Sequence, residues 1–157
     1  MGHITVSRTI AAPVETVFAY VDDHKNTTKY MKDLTKWAPV GAQTHGRGAH
    51  FEVAMKAGPR ELSSQVLINQ WTENTVIAWV SESGFKQTGK WAFKAVGEGT
   101  EATFDMEYEL GGGIAGKVLA KVAEPVVRMN IDASVDELKK QTEKLGDKGT
   151  KKSAARR

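Results

Sequence analysis

The 157-residue sequence predicts an α+β fold: a curved antiparallel sheet of about six or seven strands wrapped around one long C-terminal helix, with two short helices after the first strand. Three observations carry the prediction. Residues 33–110 place apolar side chains at a period of two, the repeat of strands with one wet and one dry face. Residues 113–145 return to a helical period over a length that crosses a small domain. Between the first strand and the alternating region, Pro13 and Asp22-Asp23 punctuate two short helical segments.

The elements follow in order. HITVSRTI (3–10) reads as a strand with Ile4, Val6 and Ile10 on one side. Pro13 suits a first helical turn, where its missing N–H would be unpaired anyway. Val14, Val17, Phe18 and Val21 then recur at helical spacing, and Asp22-Asp23 caps a second helix through about Met31. In the strand region Phe51, Val53 and Met55 alternate with His50, Glu52 and Lys56. Leu62, Ser64, Val66 and Ile68 share a side, as do Ile77, Trp79 and Ser81. Phe85, Gln87, Gly89, Trp91 and Phe93 form a third set, and Phe104, Met106, Tyr108 and Leu110 a fourth. Turn signals at Lys56-Ala-Gly-Pro, Glu73-Asn, Ser83-Gly and Gly97-Glu-Gly separate them. The terminal helix carries a stripe of Val118, Leu119, Val122, Val126, Met129, Ala133 and Leu138, with Pro125 expected to kink it.

Charge divides the chain into residues 1–147, one folded domain, and 148–157, a basic tail expected to be disordered. The sequence has 22 Lys and Arg against 19 Asp and Glu; removing the tail's five cations leaves 17 against 19. The basic excess therefore belongs to KGTKKSAARR, a solubilising end or a weak contact for an anionic surface, and gives the body no specific affinity for nucleic acid. There is no cysteine, hence no disulfide and no thiolate metal site. MGHITVSRTI lacks the apolar run of a secretory signal, and no stretch approaches the roughly 18 apolar residues of a membrane span. A cytoplasmic protein, monomeric or weakly dimeric, is the expectation.

GGGIAGKV (111–118) raises the question of a nucleotide. Gly111, Gly113 and Gly116 match G-x-G-x-x-G, and Gly111 to Lys117 matches G-x-x-x-x-G-K. A dinucleotide site needs that turn inside a βαβ unit, yet the strand before it alternates and no strand follows the helix. Val118 occupies the place of the magnesium-binding hydroxyl. The glycines read as a strand-to-helix connection, and no cofactor is expected.

VSRTIAAPVETVFAYVDD at 6–23, KYMKDL at 29–34, GRGAHFEV at 46–53, VIAWVSES at 76–83 and GKWAFKAVGEGTEATFDMEYEL at 89–110, with the glycine-led terminal helix, set out an order and spacing. In these the chain resembles the START-related (SRPBCC) superfamily of bacterial polyketide cyclase/dehydrase-like proteins, over about residues 3–145. The resemblance implies a helix-grip fold with a deep, mainly apolar cavity. The superfamily spans carriers, cyclases and aromatases, so fold alone does not name the function.

If the apolar sheet face looks inward, the ligand-binding candidates are Phe51, Met55, Val66, Ile68, Trp79, Trp91, Phe93, Phe104, Met106 and Tyr108, with Ser64, Ser81 and Gln87 as inward polar groups. Val122, Val126 and Met129 would close the space from the helix, with Tyr30 and Met31 near a mouth. Such walls suit an apolar, partly planar small molecule: a lipid, polyketide or aromatic. His3, His24, His45 and His50 show no H-x-x-x-H or H-E-x-x-H spacing, so no metal is expected. Asp105, Glu107 and Glu109 form an outward acidic row, and Arg8, in phase with Ile4 and Val6, has an open orientation. No residue is assigned as catalytic. The alternative to a binding protein is a cyclase, aromatase or dehydratase using general acid–base groups, for which Tyr108, Tyr30, Arg8 and Gln87 are available. A third reading is an interaction protein with a filled interior and a contacting tail.

Overall fold

The computed structural model describes the backbone of residues 2–57, 59–109 and 113–155, and the side chains of 2–56, 59, 61–109 and 124–146. The elements run β1 (Gly2–Ile10), α1 (Val14–Asp22), a single 3-10 turn (His24–Asn26), α2 (Thr27–Tyr30), β2 (Leu34–Pro39), β3 (His50–Ala57), β4 (Arg60–Thr72), β5 (Val76–Gly84), β6 (Lys86–Val96), β7 (Gly99–Glu109) and α3 (Gly113–Ala155). The strands form one sheet in the order β1-β7-β6-β5-β4-β3-β2, every neighbour antiparallel. It is the curled seven-stranded half-barrel of a helix-grip fold, with the long helix laid into it.

Strand length and register follow the alternation. In β7, Thr100, Ala102, Phe104, Met106 and Tyr108 are buried while Glu101, Glu107 and Glu109 are exposed. The outward acids face cations across the ladder, Lys86 opposite Glu109, Lys90 opposite Asp105 and Lys94 opposite Glu101, so the acidic row is half of a complementary charged face. Curvature comes from irregularities in pairing: the register shifts between Leu34 and Lys36, between Gln65 and Val66, and between Ile68 and Gln70. Each shift bends a strand and adds local twist. At the corner after β5, Gly84 adopts φ +77°, and a Cβ there would lie 2.3 Å from the Ser63 carbonyl oxygen, so only glycine fits.

Of the expected stripe on the helix, Leu138 is buried, Val126 and Met129 are not, and the side chains of Val118, Leu119 and Val122 lie outside the described residues. Val127, Ile131, Ser134, Val135, Leu138 and Thr142 are buried, whereas Val126 is 38% and Met129 62% exposed. Two of the inward positions are hydroxyl residues that an apolar-only reading passes over. Ser134 Oγ donates to the Asn130 carbonyl (2.6 Å) and Thr142 Oγ1 to the Leu138 carbonyl (2.7 Å), so each is buried with its hydrogen bond made inside the helix. Ser134 Oγ also accepts the Lys32 backbone N–H at 2.7 Å, which fixes the end of the α2 segment to α3.

Arg8 reaches the flank of α3 rather than a cavity. Its Nε donates to Asp136 at 2.8 Å and its Nη2 to Asp132 at 3.1 Å, and the hydrogen bond to Asp136 leads the causes that raise its pKa. The backbone of α3 runs from Gly113 to Ala155. Among the described residues, no helix is long and apolar enough to cross a membrane.

Candidate functional site

The concave face of the sheet, the α1–α2 segment and α3 enclose a cavity of about 70 Å³. That is several times the roughly 10–15 Å³ that one water needs. β5, β6 and β7 build its inner wall with Ile77, Trp79, Gln87, Trp91, Phe104 and Met106. β3 and β4 add Phe51, Val53, Met55, Ile68 and Trp71, and β2 adds Leu34 and Trp37. Val21, Thr27, Tyr30 and Met31 close it from the helical segment, and Ile131 is α3's contribution among the described residues.

Aromatic rings dominate these walls. Trp37 stacks on Phe51 (5.2 Å between centroids) and meets Trp79 edge-on at 5.4 Å. Trp79 leans on Phe104 at 6.1 Å, Phe104 meets Trp91 edge-on at 4.9 Å, and Trp91 meets Tyr30 at 6.3 Å. Trp71 joins from behind through Phe18 and Phe93. All four tryptophans line the space. These separations are the offset and edge-to-face distances that ring quadrupoles favour. Gly89 makes the arrangement possible: a Cβ there would sit 2.2 Å from the Trp79 ring, so the missing side chain lets the indole lie against β6. The Trp79 Nε1–H is buried and has no hydrogen-bond partner in the structure.

Polar groups are few and placed unevenly. In the depth, Gln87 Nε2 donates to Ser64 Oγ at 3.0 Å, and the Gln87 backbone N–H donates to Ser81 Oγ at 2.9 Å. Burial pushes the Tyr30 phenol well above its ordinary range and keeps it neutral. At the rim, where the lining includes exposed residues of the β2–β3 loop, Asp22 is the central group. Its Oδ1 accepts from Trp71 Nε1 at 2.9 Å and its Oδ2 lies 3.5 Å from His45 Nδ1. His45 also meets the Trp71 ring edge-on at 6.1 Å, and His24 lies over Phe51 at the same distance. Among the described residues, no group of three or more His, Asp or Glu is set to hold a metal ion.

The structure brings Tyr30, Met31, Phe51, Met55, Ile68, Trp79, Gln87, Trp91, Phe104 and Met106 together around the cavity. Other predicted positions fall elsewhere. Val66 and Phe93 are buried in the packed core, and Ser64 and Ser81 support Gln87 from behind. Tyr108 is buried near Gly2 and Phe85, away from the cavity, with its hydroxyl unpartnered and its pKa raised by burial. Val126 and Met129 point to solvent, because the helix presents the Val127–Ile131 side inward. The Val122 side chain lies outside the described residues.

Trp37 and Trp71 escape a strict alternation for one physical reason. The shift between Ile68 and Gln70 turns Trp71 to the inner face although Leu62, Val66 and Ile68 occupy even positions. The shift between Leu34 and Lys36 likewise puts Leu34 and Trp37 on one side. The rim residues Asp22, His24, Lys32, Thr44 and His45 come from turns and a loop, which have no period to read.

A curled antiparallel half-barrel holding a long C-terminal helix, with short helices after the first strand, is the START-like helix-grip architecture. The chain belongs to the family described as polyketide cyclase / dehydrase and lipid transport, which matches residues 1–143. Solved structures with this fold include TTHA0849 from Thermus thermophilus (TM-score 0.77, 22% identity, covering 90% of this chain and 97% of that one). A START superfamily protein from Mycobacterium smegmatis aligns with TM-score 0.67 and 15% identity over 93% of this chain and 97% of its own. The Zhui aromatase/cyclase from Streptomyces sp. R1128 aligns with TM-score 0.68 and 16% identity over 90% and 93%. No curated protein matches the sequence.

Proposed function

We propose that the protein binds a hydrophobic, ring-bearing small molecule in the cavity between sheet and helix. The observation that carries this reading is the wall itself: all four tryptophans, with Phe51, Phe104, Tyr30 and Met106, surround a void they leave unfilled. Close packing is the rule in protein interiors, and a void forfeits dispersion contacts on its whole lining. A guest with flat apolar faces restores those contacts. The family description, which names both lipid transport and cyclase chemistry, supports the broader class.

Catalysis has less support from the geometry. Of the acid–base groups considered, Tyr108 and Arg8 lie off the cavity, Tyr30 is held neutral by burial, and the Gln87 amide is engaged with Ser64. A tryptophan emission titration of the full chain tests the binding reading, using fatty acids and one- to three-ring aromatics. Because each indole borders the cavity, a ring-bearing occupant is expected to shift or quench emission saturably. A folded sample whose emission responds to no member of the series contradicts it.

A further inference from the structure

The polar groups of the cavity are sorted by depth and by hydrogen-bond type. Among the described residues of the deep wall, the Gln87 amide is occupied by Ser64 at 3.0 Å, the Tyr30 phenol is hydrogen-bonded with Thr27, and the Trp79 Nε1–H alone is left without a partner. The remaining charged groups stand at the rim, and there the acceptors are spent while the donors are not. Asp22, the one carboxylate among the described lining residues, receives Trp71 Nε1 on one oxygen and faces His45 Nδ1 with the other. Lys32 and His24 make no side-chain hydrogen bond or ion pair among the described residues. Lys32 acts electrostatically on Glu137 of α3, but that carboxylate is already bonded by Gln141 Nε2 at 2.9 Å. Lys32 is exposed and its ammonium carries three donors and no acceptor, so water serves it in the free protein and an anionic acceptor can take the place of that water.

From this asymmetry, and resting on the binding reading above, we infer that the ligand is a small aromatic carboxylate, its ring inward and its carboxylate at the rim against Lys32 and His24. The ring fills the space between indole and phenyl walls, where edge and offset contacts are available on several sides. The carboxylate stays at the water-facing end, where charge-assisted hydrogen bonds from Lys32 and His24 replace part of its hydration. An inward-facing anion would meet Met106 and the Trp79 wall, where one unpartnered donor, the Trp79 Nε1–H, replaces only a small part of that hydration.

Calorimetric titration of the full chain at neutral pH and low salt tests the assignment. The probes are carboxylate, methyl ester and aminomethyl (ammonium) derivatives of one ring, in a phenyl and a naphthyl series. The expected order is carboxylate tightest and ammonium weakest, with carboxylate over ester by about threefold or more, as befits a partly exposed ion pair. Lys32→Met is expected to bring the carboxylate-to-ester ratio close to one, and added salt to lower it in the native chain. Ester binding as tight as carboxylate, the ammonium binding tightest, or a ratio unmoved by Lys32→Met overturns the carboxylate assignment and leaves the binding reading standing. No binding by any probe in either series, in folded protein, overturns both.

Discussion

At the scale of single residues, the absence of one side chain shapes the site as much as any that is present. Gly89 and Trp79 sit side by side on β6 and β5, and the indole occupies the volume a β-carbon would take. Gly89→Ala must therefore push Trp79 off the strand and toward the cavity. Overpacking of this kind costs about 1–3 kcal/mol, so the variant is expected to lose that much stability in denaturant titrations and to show altered tryptophan emission. A variant with native stability and native emission would mean that the indole does not rest on β6. The alternation of Phe85, Gln87, Gly89, Trp91 and Phe93 places Gly89 on the inner face from sequence alone. It does not say what leans on it, because that contact spans two strands.

At the scale of elements, the face that α3 turns toward the sheet decides what the cavity meets. Leu138 is fully buried, and Met129, nine residues earlier on the same helix, is 62% exposed. Leu138→Ala is expected to cost about 2–5 kcal/mol by leaving a cavity, and Met129→Ala to stay within about 0.5 kcal/mol. Equal losses from the two substitutions, in matched thermal or denaturant melts, would mean the helix is rotated. The existence of α3 is legible in its period, while its phase is legible only in part: Leu138 is inward as expected, and Val126 and Met129 are not. Ser134 and Thr142 satisfy their hydroxyls within the helix and so occupy buried positions that a hydrophobic pattern assigns to solvent. The same limit applies to β4 and β2, where register shifts turn Trp71 and Trp37 inward against the even–odd pattern. β5 to β7 pair without such shifts, and their inward residues Trp79, Gln87, Trp91, Phe104 and Met106 are the lining positions most directly readable from sequence.

At the scale of the whole molecule, the sheet divides labour between its two faces. The outer face is a ladder of opposed charges such as Lys90 and Asp105, and the inner face is an aromatic shell around unfilled space. In that shell flat rings meet at edges, and a gap is left between them. Its polar rim, with Asp22 tying Trp71 of β4 to His45 of the β2–β3 loop, marks the end where the lining includes exposed residues. The most direct measurement is a crystal structure of the full chain soaked with 4-bromobenzoate and 6-bromo-2-naphthoate, the bromine located by its anomalous signal. A bromine peak is expected among Trp79, Trp91 and Ile131, inside the protein. Saturating soaks that place bromine solely on the outer surface, or nowhere, would contradict it.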